Sequence, residues 1–404
     1  MTASPHAPFP ALAPPTAGVG TAASPEGGRV DFSRLRAERR ARLLTAMDTH
    51  GLDAVVLGRP ANVVYASGAR QLWTAGARPF GPACVVVRGT GAVHLLSVTD
   101  EGVPPEIPHD HLYGLSWNPL NLIGHLRAVP GLADAARVGT DGLTPGFGQF
   151  LGAIAPGAAV VDANPALGAA RAAKTPDELA CIATATAIAE SSLSAMEAAL
   201  RPGVSERQLL GAHLGRIAAL GVPTPPTEGV VCATPRRGPV SRRRLAVDRL
   251  VGPGELVVLD PGALYGGYEG GVGRTRVAGP GGAAPAQERL GERCRAILAE
   301  VISACRVGAS GADLGRAWEA TGEPAPESPF VSGVGLGAEP PLMGGGCGAD
   351  TVLVAGSVVA VEAWVTAEGA GGFLEREIVA VTDTGPEVLS RSATGPARSR
   401  SQAV

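Results

Sequence analysis

Apolar and polar positions follow two rhythms along the chain. From Asp31 to Gly51 the residues Leu35, Leu43, Leu44 and Met47 recur on one side of an Arg-rich stretch, which predicts an amphipathic helix ending at Gly51. Short apolar runs at Asp53 to Leu57, Ala83 to Val87 and Ala92 to Val98, each bounded by Gly or Pro, predict strands. A second round from Val138 through Val160 to Asp162 completes an α/β domain, with a linker expected near Pro165.

The second half opens on a helix start at Thr175-Pro176-Asp177-Glu178. Thr175 can accept from the Glu178 amide, Pro176 takes the first helical position and Glu178 reaches back. That helix is predicted to run to about Leu200 and stop at Pro202-Gly203. A second capping box, Ser205-Glu206-Arg207-Gln208, launches another helix to Gly221. Strands are predicted at Gly229 to Ala233, Leu256 to Asp260, Leu264 to Tyr268 and Val272 to Val277. The order then repeats: helices at about Ala286 to Cys305 and Ser310 to Thr321, then strands at Phe330 to Leu336, Val358 to Glu362 and Phe373 to Thr382. Such a pseudo-repeat predicts two half-cores with helices outside one shared curved sheet. The expected organisation is a tail over 1–29, domains over 30–165 and 172–392, and a polar tail over 393–404.

Composition narrows the class. The 404 residues are 45% hydrophobic and 18% charged, enough for two packed cores. Lys+Arg 34 against Asp+Glu 37 leaves a formal charge of -3, which argues against nucleic acid or an anionic membrane as partner. Six cysteines without a C-x-x-C pair fit reduced thiols, and residues 1–28 show neither the basic nor the apolar region of a signal peptide. No run of 18 apolar residues occurs, so a cytoplasmic protein is expected. Lys174 is the sole lysine and stands beside a helix cap.

The chain resembles the pita-bread-fold proteins that include creatinase, Xaa-Pro dipeptidases and aminopeptidase P, over roughly residues 33 to 390. In the front half the likeness rests on Arg40 to Leu44, Gly51 to Leu57 and Pro60 to Tyr65. In the rear half it rests on Lys174 to Glu178, Arg201 to Glu206, Gly254 to Gly262, Tyr265, Gly267-Tyr268, Arg274-Thr275, Gly333 to Leu336, Val361-Glu362 and Thr382 to Gly385. The resemblance implies an α/β (α+β) chain, a creatinase-like N-terminal domain before a pita-bread domain with a pseudo-twofold repeat. It also implies a homodimer.

In the metallopeptidase members, five ligands hold two divalent cations: two Asp, one His and two Glu. Carried over residue by residue, Asp260 and Glu362 match the first Asp and the first Glu. Gly271 stands at the second Asp, Ser332 at the His and Arg376 at the last Glu, between Glu375 and Glu377. The family's next His falls near Ala338 or Glu339. The seven histidines end at His213, so none follows it, and His109-Asp110-His111 is the one cluster in the front half. No metal or other cofactor is therefore expected.

Without cations, Asp260 and Glu362 would face each other in a low-dielectric cavity, which raises one pKa or demands a positive partner. Arg376 and Arg274 can supply it, because guanidinium is planar and permanently cationic. The four are the candidate catalytic residues; in the bland alternative Arg376 points to solvent and Glu375 and Glu377 point inward. Tyr268, Glu339, Ser332 and Tyr265 are candidate substrate contacts, with packing the alternative for both tyrosines. Cys232 and Cys347 are read as structural, Arg236-Arg237 with Arg242-Arg243-Arg244 as a solvated basic loop or an acidic-group reader, and Gly344 to Gly346 as a flexible loop. The expected activity is metal-independent hydrolysis or elimination on a small amino-acid, amide or amidine derivative. A catalytically silent binding or assembly protein and a conventional Xaa-Pro metallopeptidase are the alternatives.

Overall fold

The computed structural model of the protein describes residues 30–69, 82–97, 99–114, 118–143, 145–222, 225–226, 229–235, 240–242 and 245–392. The tails 1–29 and 393–404, and Arg236, Arg237, Arg243 and Arg244 of the basic loop, lie outside the described residues. Two units are distinguished: Asp31–Glu178 with Gly335–Pro340, and Leu179–Val334 with Pro341 onward.

The front unit runs α1 Phe32–Thr49, β1 Ala54–Leu57, α2 Pro60–Ser67, β2 Cys84–Val87, β3 Ala92–Leu96, β4 Leu112–Tyr113, α3 Pro119–Arg127, β5 Arg137–Thr140, α4 Pro145–Ile154, β6 Ala159–Asp162 and α5 Asn164–Ala172. Its mixed six-stranded sheet has the order β4-β3-β2-β1-β5-β6. Alternation sends Ala54, Val56, Val85 and Val87 to one face, where Leu122 and Leu126 of α3 and Phe147, Leu151 and Ile154 of α4 cover them. The linker expected near Pro165 is instead α5: Pro165 sits in its first turn, where a fixed φ and a missing N–H suit a helix start. Of the histidine cluster, His109 pairs with Asp100 at 2.9 Å on the surface. His111 stacks on the buried His94 with ring centroids 4.2 Å apart.

The second half of the chain runs α6 Pro176–Ala199, α7 Glu206–Ala219, β7 Val230–Thr234, β8 Leu256–Asp260, β9 Gly262–Tyr265, β10 Tyr268–Gly271, β11 Arg274–Val277, α8 Pro285–Ala304, α9 Gly311–Glu319, β12 Val331–Gly335, β13 Gly337–Met343, β14 Val358–Ala367, β15 Gly371–Thr382 and β16 Gly385–Val388, all in the second unit but for the first residues of α6, the last of β12 and the first four of β13. Both capping boxes form: Glu178 accepts from the Thr175 amide at 2.8 Å, and Gln208 from that of Ser205 at 2.9 Å. By length and composition α6 could cross a membrane, yet 61% of its apolar window is buried in the protein, as in a core helix. On α8, Leu290, Cys294, Ile297, Leu298 and Val301 recur at helical spacing and bury against Val359, Val361, Ala363 and Phe373. Each buried Leu, Ile, Val or Phe among them contributes roughly 1.5 to 3 kcal/mol of transfer free energy.

In place of the single shared sheet expected from the repeat there are, besides the two-stranded β10-β9, two larger sheets, β11-β8-β7 and β13-β12-β14-β15-β16. The two larger sheets join where Gly273 and Arg376 exchange both backbone hydrogen bonds, at 3.1 and 3.0 Å. A Cβ on Gly273 would come within 2.6 Å of Leu374, so the approach requires glycine. Next to that bridge Thr275 replaces the ladder with its hydroxyl, accepting from the Leu374 amide at 2.8 Å and donating to its carbonyl at 2.9 Å. The strand expected over Leu264 to Tyr268 is instead a hairpin, because Gly266 and Gly267 take positive φ of 58° and 86° and turn the chain.

Residues 389–392 close the unit. Ser390 donates to Glu377, the Arg391 and Ser392 amides both donate to Glu190, and the Ser392 carbonyl accepts from Arg274 at 2.9 Å.

Candidate active site

On β14 the odd-numbered Val359, Val361, Ala363 and Val365 face the helix-covered core, which turns Glu362 and Trp364 to the opposite face. Across the ladder Glu362 stands opposite Arg376, and Trp364 opposite Leu374. On the neighbouring sheet Val258 pairs with Cys232, and Asp260 with Val230. Val230, Cys232, Val258 and Leu374 form a small separate apolar cluster with Trp364 packed against it. This apolar floor ends in Asp260, Glu362 and Arg376.

Over that edge the charges alternate. Arg376 Nη2 lies 2.5 Å from Asp260 Oδ1. Arg242 grips both oxygens of Glu362, Nη1 on Oε1 and Nη2 2.7 Å from Oε2, and the same Nη2 is 4.0 Å from Asp260 Oδ2. Side-chain exposure falls from 23% at Arg376 and 21% at Glu362 to 14% at Arg242 and 6% at Asp260. Burial holds the Asp260 carboxyl above the usual aspartate range; Arg376 opposes this most strongly, Glu362 adds to it and Arg242 opposes it. The Nε atoms of Arg242 and Arg376 are buried and have no hydrogen-bond partner among the described residues.

Gly271 explains why Arg376 has room. A Cβ at that position would stand 2.6 Å from Arg376 Nη2, so the guanidinium occupies the space where a side chain of residue 271 would lie.

The remaining candidates are placed as follows. Ser332 pairs with Ala360 and shares the face of Glu362, one rung along β14. Arg274 is not in this constellation: its register partner is Leu259, one residue out of phase with Asp260, so its side chain emerges on the other face. There it is fully buried between Glu375, at 3.3 Å, and Glu377, at 2.6 Å. The two glutamates beside Arg376 are therefore the partners of Arg274, and burial pushes Glu377 above its usual range despite that arginine. Tyr265 and Tyr268 face each other across the β9–β10 hairpin and are buried.

Glu339 belongs to the front unit. Its carboxylate receives Arg171 and Lys174, and Arg171 donates onward to Asn62 at 2.7 Å, whose amide donates to Asp141 at 2.9 Å. Lys174, which the sequence placed merely beside a cap, has a side chain only 4% exposed. The Gly344 to Gly346 stretch is a tight turn, with hydrogen bonds of 3.1 and 3.0 Å between Gly344 and Cys347. Arg242 was absent from the expected site. Its one signal was membership of an arginine-rich coil, where no periodicity assigns a direction.

The sequence profile of metallopeptidase family M24 matches residues 180–383, and that of the creatinase/prolidase N-terminal domain matches residues 39–173. The chain belongs to metallopeptidase family M24. This M24 chain has the fold of the prolidase from Pyrococcus horikoshii OT3, with TM-score 0.73 and 21% identity over 88% of this chain and 99% of that one. It is similar to the Xaa-Pro dipeptidase from Bacillus anthracis, with TM-score 0.72 and 19% identity over 89% and 99%. It is also similar to the X-Pro aminopeptidase from Thermotoga maritima MSB8, with TM-score 0.73 and 17% identity over 88% and 98%. No curated protein sequence matches it. The M24 match and these neighbours agree on a creatinase-like α/β domain followed by a pita-bread domain.

Proposed function

We propose that this M24 protein works without metal, on a small amino-acid-like or peptide-like compound whose carboxylate is read by arginine. The observation that carries the reading is the ion pair of Arg376 with Asp260 beside that of Arg242 with Glu362. These residues do not fit a pair of divalent cations. Among the described residues no three of His, Cys, Asp and Glu are placed to hold one, and both carboxylates of the site already serve guanidinium groups. A fixed positive charge about 4 Å from a divalent ion opposes it by several kcal/mol even at an effective dielectric of about 20.

In this reading Asp260 is the acid/base group, since burial raises its proton affinity toward the range where it can hold and return a proton. Arg376 keeps it oriented and offers charge to an oxyanion. Trp364, half-buried, gives the apolar part of the compound its surface, backed by the fully buried Leu374. A second reading, a catalytically silent binding protein, is favoured by the match of two cations to two anions within the cluster. A homodimer, carried over from the family resemblance, in the cytoplasm and without nucleic acid or membrane partner completes the proposal; the formal charge of -3 supports the lack of a polyanionic partner and the free cysteines support a reducing compartment.

The test is elemental analysis of purified protein together with an Xaa-Pro dipeptide assay in manganese or cobalt. Two metal equivalents per chain, lost together with peptidase activity in Asp260→Ala, would restore the conventional metallopeptidase. Sedimentation velocity checks the dimer.

A further inference from the structure

We infer that Glu362 is a built-in stand-in for the ligand's carboxylate, which must leave Arg242 before the ligand can bind; this rests on the metal-independent reading above. Arg242 holds Glu362 through both terminal nitrogens on both carboxylate oxygens, the two-pronged geometry in which guanidinium recognises a free carboxylate. The site thus already contains a carboxylate in the place where an incoming one would be read.

Exposure decides which acid yields. Glu362 is 21% exposed and Asp260 6%, so Glu362 can swing into water, where its charge is solvated, whereas Asp260 leaving Arg376 would strand a buried charge. Exchange of one carboxylate for another at Arg242 keeps the cluster of two arginines and two anions neutral. The buried Nε atoms of Arg242 and Arg376, without a hydrogen-bond partner among the described residues, are further donors that an oxygen-rich ligand could satisfy. Trp364, two residues along the same face, marks where the apolar body of that ligand would rest. The class is therefore a small carboxylate carrying an apolar group, admitted by competition with Glu362.

Competition lowers the apparent affinity by the fraction of sites in which Arg242 is engaged, so removing the charge of Glu362 should tighten binding. The probe is glycyl-L-proline in calorimetric titration, with glycyl-L-prolinamide as the form lacking the carboxylate. Glu362→Gln, which keeps the shape, should bind the dipeptide about tenfold more tightly than the unaltered protein or better. Arg242→Gln should abolish binding, Arg242→Lys should weaken it through loss of the fork, and the amide should not bind. Binding by Glu362→Gln alone would also support the inference, as a competitor too strong for the unaltered protein to yield. If the unaltered protein binds and Glu362→Gln binds equally or less well, or if the amide binds as the acid does, the stand-in role is overturned and the metal-independent reading survives. If neither protein binds either compound, the small-carboxylate reading falls and the stand-in role falls with it.

Discussion

Arg376 occupies the space above Gly271: its Nη2 lies 2.6 Å from the point where a Cβ on residue 271 would stand. The glycine has ordinary φ, so an alanine there meets no strained dihedral; its Cβ would displace the guanidinium from Asp260 and also press on the Pro261 carbonyl oxygen, 3.1 Å away. Gly271→Ala and Arg376→Ala should each destabilise by about 1 to 3 kcal/mol. The double variant should lose less than the sum, with a coupling of about 1 kcal/mol in urea denaturation. Strict additivity would mean that the two positions are independent.

Arg274→Met leaves Glu375 and Glu377 buried without their cation, with side-chain exposures of 0% and 5%. A loss of about 3 to 5 kcal/mol is expected in the same measurement. Because Arg274 lies on the other face of the sheet, dipeptide affinity in the variant, measured where it is fully folded, should stay within about twofold of the original. A large affinity change at intact fold would return Arg274 to the site.

Lys174 makes the front unit easy to interrogate, since amine-reactive label can otherwise reach only the chain's N-terminus. In native protein Lys174 should be protected by Glu339 and by its 4% exposure. Glu339→Ala leaves Arg171 and Lys174 together without their shared anion, and labelling of Lys174, read by peptide mass mapping, should rise by at least tenfold. Unchanged protection would show that burial alone shields the amine.

Burial, with His111 beside it, lowers the His94 pKa from 6.5 to about 4, against a weaker upward pull from Asp110. The folded value lies below the unfolded one, so acidification protonates the unfolded chain first and stability falls as pH drops from about 6.5 to about 4. At about 1.4 kcal/mol per pKa unit the loss across that window is roughly 2 to 3 kcal/mol. His94→Phe should remove that part of the slope in urea midpoints measured against pH, and an unaltered slope would assign the acid sensitivity to other groups.

Local signals in this chain carried far. Thr175 to Glu178 and Ser205 to Gln208 form the reciprocal caps their spacing announced, because a cap is decided within four residues. What failed needed register. Arg274 and Asp260 lie on strands that pair, but whether they share a face depends on pairing Arg274 with Leu259 rather than with its neighbour, a one-residue choice that no local pattern displays. Between Glu375, Arg376 and Glu377 the sequence offered only alternation; the Gly273 bridge to Arg376 fixes the phase. The partners of Glu339, Arg171 and Lys174, were not legible because they are 168 and 165 residues away.

The closure by residues 389–392 sets a timetable. Arg274 is translated 118 residues before Ser392, whose carbonyl is one of its acceptors, and Glu190 waits 202 residues for the Ser392 amide. On the ribosome the pita-bread unit can collapse around α8 and β14 while Arg274 still lacks one of its acceptors and Glu377 still lacks Ser390. Residues 389–392 follow the last described strand, which ends at Val388, so the buried pair of Arg274 and Glu377 receives its final partners only after every described strand has been made.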